Sequence, residues 1–146
     1  MAEPVTWMVV ADGALARFFT RQRPEMPWVE IDALKMTLRG QLRHKRLTGQ
    51  IAEGVDHGPL VRPAHENRKN TQERHFLGRV AGHINAAEES HAVRELILVA
   101  PPHALGILRD HLSAQTLDRV VFELGKDLTR AKIAEIDERV RESQRR

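Results

Sequence analysis

Leu96-Ile97-Leu98-Val99-Ala100-Pro101-Pro102 is the stretch whose reading decides the fold. Five apolar residues in unbroken series predict a strand over residues 96–100 that is buried on both faces, and therefore central in its sheet. The two prolines that stop it suit the first turn of a helix, where a missing N–H costs nothing. Ala104, Leu105, Leu108 and Leu112 then continue along one helical face. Residues 119–124 predict a further strand, and Thr129 is expected to cap a last helix with Ile133, Ile136 and Val140 turned inward. Strand, helix, strand, helix in this order predicts parallel strands joined by crossovers.

Upstream the grammar changes. Val5 to Ala11 is rich in β-formers and stops at Asp12-Gly13, a turn signal, and residues 16–20 read as the returning strand of a hairpin. Pro24 and Pro27 mark another turn, and residues 28–33 alternate well enough for a third strand. Residues 39–69 carry no sustained period, and Gly40, Gly49, Gly54, Gly58, Pro59 and Pro63 recur through them. A stretch of that length without regular structure is either functional or disordered. A helix over residues 71–89 follows, capped by Asn70 or Thr71, with Phe76, Leu77, Val80, Ala81 and Ile84 as its apolar stripe. The expected architecture is α/β: a single-domain mixed sheet of about five strands, an N-terminal antiparallel meander joined to a C-terminal parallel βαβ part, with helices on its faces.

Composition sets further bounds. The 146 residues suit one domain spanning the whole chain, and 29% charged with only 4% aromatic residues demands an aliphatic core. The absence of cysteine excludes disulfides, thiolate metal ligands and a cysteine nucleophile, and accords with a reducing cytoplasm. Neither a signal peptide nor a membrane-length apolar run is present, so a cytoplasmic location without membrane insertion is expected. Between Leu38 and Arg74 stand Arg39, Arg43, Lys45, Arg46, Arg62, Arg68, Lys69 and Arg74 against Glu53, Asp56, Glu66 and Glu73. That local excess of four exceeds the +3 of the whole chain. A basic segment on a nearly neutral body points to a polyanion partner, although charge alone equally fits a solvated surface loop.

Three segments carry a family resemblance: VVADGALARFF (residues 9–19), LILVAPPHALGILRDHLS (96–113) and VVFELGKDLT (120–129). They resemble the bacterial host attachment proteins, described as required for attachment to host cells, and the resemblance extends over essentially the whole chain. The order of elements is also similar to the central domain of archaeal and eukaryotic class-I release factors and of Pelota, which implies a fold of that kind. In those factors a Gly-Gly-Gln tip promotes peptidyl-tRNA hydrolysis. Here Arg39-Gly40-Gln41 and Thr48-Gly49-Gln50 keep the glycine-glutamine pair but lack the first glycine, whose conformational freedom arginine or threonine would forfeit. Peptide release is therefore not expected.

No complete catalytic or phosphate-cradling motif is spelled out. His75, Arg79 and His83 fall on one helical line, but the two histidines stand roughly 12 Å apart, too far to share an ion, so no metal or cofactor is expected. His103 and Asp127 each follow a predicted strand, and parallel neighbours would bring them to one sheet edge as a strand-end site; alternatively, Asp127 and Thr129 shape the last helix. The expected activity is non-enzymatic: an RNA- or ribosome-associated module using Arg39, Arg43, Lys45, Arg46, Arg62, Arg68 and Lys69 for phosphate contact. The alternatives are a protein-interaction factor in host attachment or envelope physiology and, with less behind it, a small hydrolase built on His103 and Asp127. Oligomeric state is not legible.

Overall fold

In the computed structural model, residues 3–40 and 64–146 are described, with side chains in the second part from Arg68 onward. The strands are β1 (Val5–Ala11), β2 (Leu15–Arg21), β3 (Val29–Glu30), β4 (Met36–Thr37), β5 (Val93–Val99) and β6 (Val120–Leu124). The helices are α1 (Ala64–Glu89), α2 (Pro102–His111), the single turn α3 (Ala114–Leu117) and α4 (Ile133–Gln144), with a 3₁₀ turn at Asp32–Leu34. All six strands form one mixed sheet in the order β3-β2-β1-β5-β6, with β4 also on β2. β1 pairs antiparallel with β2 and parallel with β5, and β5 pairs parallel with β6.

The strand around Leu98 is central because Leu96, Ile97, Leu98 and Val99 are apolar and buried on both faces. Leu96 and Leu98 turn to one face and Ile97 and Val99 to the other. β1 alternates likewise, with Trp7, Val9 and Ala11 against Met8 and Val10. The first face is closed by Phe76, Leu77, Val80, Ala81 and Ile84 of α1 and by Ala104, Leu105, Ile107 and Leu108 of α2. The second is closed by Ile136 and Val140 of α4 and by Leu128 before it, so helices cover both faces of the sheet.

Three local expectations are corrected and one is borne out. The third strand does not run over residues 28–33: only Val29 and Glu30 pair with β2, Asp32–Leu34 turns, and a sixth strand, β4, returns to β2. Helix α1 begins at Ala64 rather than at residue 71, because the sequence of its first turns is polar and carries no apolar period to mark it. Thr129 does not cap the last helix, which starts at Ile133 after Lys132, since its hydroxyl is engaged elsewhere. Asp12-Gly13 joins the hairpin as expected, through an Asx turn: Asp12 Oδ1 accepts the N–H groups of Ala14 and Leu15, both at 2.8 Å. Gly13 is small for a packing reason, because a Cβ there would stand 2.7 Å from Glu73 Cδ.

Candidate functional site

Since β1, β5 and β6 are parallel, the residues that follow them meet at one end of the sheet. Asp12 follows β1, Pro101-Pro102-His103 follow β5, and Gly125 to Thr129 follow β6. Pro102 opens α2 as foreseen, and its ring lies where a Cβ on Gly125 would be in ordinary contact with it, so the β5 and β6 exits are neighbours.

A polar cluster ties these exits together. Thr129, almost fully buried, places Oγ1 2.7 Å from Asp127 Oδ1 and 3.1 Å from Asp12 Oδ2. Its backbone N–H also donates to Asp127 Oδ1. Burial pushes the Asp127 carboxyl up, but the hydrogen bonds from Thr129, the contact with Asp12 and the nearby charge of Arg130 outweigh it and hold Asp127 below its ordinary value. Underneath, Arg17 of β2 grips Glu30 with Nε and Nη2, each at 2.9 Å, while Nη1 donates to the carbonyls of Thr129 and Ala131 at 3.0 and 2.7 Å. A bidentate, partly buried guanidinium with two further acceptors is a rigid pin, and it fixes the loop from β6 to α4.

The described flanks of the basic segment lie at the same end. β4 pairs Met36 with Ala16 and Thr37 with Leu15, and Leu38 N–H donates to Ala14 carbonyl, so the chain leaves the sheet beside the Asp12 turn at Arg39-Gly40. It returns through α1, whose Glu73 lies against Gly13. Ala64 is nine residues earlier, so about 13 Å of helix precede the level of that turn. Arg39, Arg68, Lys69 and Arg74 are exposed, and none makes an ion pair among the described residues. Arg43, Lys45, Arg46 and Arg62, together with Gln41 and Thr48-Gly49-Gln50, lie outside the described residues.

His103 and Asp127 do follow neighbouring parallel strands, yet they are not joined. Asp127 bonds to Thr129, while His103 is exposed on the first turn of α2 and makes no hydrogen bond or ion pair among the described residues. His75, Arg79 and His83 line the exposed side of α1. Trp7 is core, edge-on to Phe18 with Nε1 on Ala92 carbonyl. Trp28 is half-buried, bonded through Nε1 to Asp137, and covered on one face by Arg21 at 4.1 Å. The sequence reading missed Arg17 and the link from Asp12 to Thr129; an arginine inside the apolar run LARFF was the one available signal. Among the described residues no group of three His, Asp or Glu is arranged to hold a metal ion, and no helix is long and apolar enough to cross a membrane.

These features define a mixed α/β protein whose polar strand ends share one end of the sheet with the flanks of the basic segment. The model of a family described as "Protein required for attachment to host cells" matches residues 7–140, and the chain belongs to that family. No curated protein matches it.

Proposed function

We propose that the protein is a non-enzymatic RNA- or ribosome-associated module that presents the basic segment, residues 39–69, to phosphates. The observation that carries this reading is the placement of Arg39 on the outgoing flank and of Arg68, Lys69 and Arg74 on the incoming flank, exposed and without ion pairs, at one end of the sheet. Phosphate contact needs charge and reach but no motif, and a helical turn extending past the core supplies both. The resemblance of the element order to the release-factor central domain points to the same class of partner and to a cytoplasmic location.

Sedimentation with ribosomes and RNA titration at two salt concentrations test the proposal. Binding should weaken steeply as salt rises, and changing Arg43, Lys45 and Arg46 together to glutamate should abolish it. No binding, or binding indifferent to that change, rejects the reading. Membership of the attachment family favours a second reading, a protein-interaction factor in host attachment or envelope physiology. Recovery of the untagged native protein on the outer cell surface would favour it over the ribosome.

A further inference from the structure

We infer that the solvent face of α1 from Arg68 to Ala86 is an RNA-contacting surface, on which Arg79 takes a phosphate and Gly82 lets the strand come against the helix backbone. The inference rests on the reading that the protein binds RNA, and it gives that reading a surface on a regular element. Steps of three or four residues keep side chains on one face of a helix, and Arg68, Gln72, His75, Arg79 and His83 follow that rule. Arg68, His75, Arg79 and His83 are exposed, and none makes an ion pair among the described residues. From Arg68 to His83 the row runs about 22 Å. It holds no carboxylate: Glu73 is turned against Gly13, Glu88 is buried beside Arg119, and Glu89 comes after the row has ended. A solvated helix face ordinarily carries both signs of charge, and this one carries a single sign.

Gly82 stands on the same face, in the interior of the helix, where glycine is less stable than alanine. Gly78 has a packing reason, since a Cβ there would lie 3.2 Å from the His111 ring, but a Cβ on Gly82 would meet nothing within 4 Å. With Ala86 one turn further on, Gly82 leaves an open hollow of about 260 Å³ flanked by Arg79 and His83. Nothing in the fold asks for bare backbone at that point, whereas a closely approaching ligand does. The chemistry of the face selects the ligand. A lone phosphate needs donors that converge on one point, whereas a row of this length meets a backbone of repeated phosphates in turn. A protein partner would need an apolar anchor, and the exposed large apolar residues among those described, Met26, Val29, Leu117 and Val121, all lie off α1. A second copy of the chain would set like charges against each other. Imidazoles beside the arginines offer both a donor and an acceptor, which suits the 2′-hydroxyls of RNA.

The test is a titration of the full chain with a labelled mixed-sequence single-stranded RNA across a range of salt. Each phosphate contact contributes about 0.7 to the slope of log affinity against log salt, so Arg79→Gln should lower the slope by about that amount and Arg79→Lys should restore it. Arg139→Gln removes the same charge from α4, on the opposite face of the sheet, and should leave the slope unchanged. Gly82→Leu alters no charge and should weaken binding about tenfold at fixed salt with the slope kept. The same variant should melt at or above the wild-type temperature, because leucine is the better helix former, so its lost affinity cannot be read as lost folding. An unchanged slope in Arg79→Gln, or an unchanged affinity in Gly82→Leu, while the wild type binds RNA, overturns this inference and leaves the proposed function standing. A wild-type protein that fails to bind RNA overturns both. Displacement of the RNA by polyglutamate as effectively as by unlabelled RNA overturns the nucleic-acid assignment in favour of an acidic protein.

Discussion

Thr129 has one hydroxyl proton and two carboxylates within reach of it, Asp127 at 2.7 Å and Asp12 at 3.1 Å. Replacing it with valine keeps the shape and removes the hydroxyl donor that both carboxylates share, so Thr129→Val should cost about 1–3 kcal/mol by urea denaturation, with Thr129→Ser milder. The same bonds set a pH dependence. The folded state holds Asp127 below its ordinary value, so its stabilising contribution is complete above the unfolded value of about 3.9 and is lost as pH falls through the folded one. Denaturation curves between about pH 5 and pH 2 should therefore steepen less in Asp127→Asn than in the wild type. At the other end of the molecule His91 closes α1 with φ 64°, a left-handed conformation, while Ala92 N–H reaches back to the Ala87 carbonyl. Glycine adopts that conformation without the Cβ penalty, so His91→Gly should stabilise the protein by about 0.5–1 kcal/mol in the same assay. The Asp12 turn and the His91 cap teach opposite lessons about reading residues: the Asp-Gly pair announces its turn, whereas no sequence rule expects histidine at a left-handed cap.

Among elements, α4 bears the heaviest single responsibility. Two helices share the first face of the sheet, but on the second the buried helical contribution comes from Ile136 and Val140 of α4, supported by Leu128. Ile136→Ala should accordingly cost about 2–5 kcal/mol, against near zero for the exposed Ala134→Ser. The β6 edge shows how register is managed at a boundary. Leu96 pairs with Val120 and Ile97 with Phe122, so Val121 is an extra residue on the outer strand and is 54% exposed. A bulge of this kind disturbs an edge that another chain could otherwise extend. The elements legible in the sequence are those with an apolar period: β1, β2, β5, β6, α2, α4 and the packed part of α1. The two-residue strands β3 and β4 and the first turns of α1 lack such a period, since their geometry comes from neighbours or from helix propagation.

At the scale of the whole molecule, the sheet is ordered from a doubly buried centre to short edges, and its resistance to opening should follow that order. Amide hydrogen exchange is expected to be slowest in β1 and β5 and faster in the two-residue strands β3 and β4. Uniform protection across these segments would contradict the arrangement. The sequence by itself determined the mixed α/β class, the central place of Leu96 to Val99, the helical faces and the family, because alternation, apolar runs and proline punctuation are local properties of the chain. Only the tertiary structure decided that Asp12, Asp127 and Thr129 meet, that Arg17 pins the loop beyond β6, and that the basic segment leaves and returns at that same end. The links from Asp12 and Arg17 to the loop beyond β6 join residues more than a hundred positions apart, and parallel pairing of β1, β5 and β6 brings those distant strand exits to one edge.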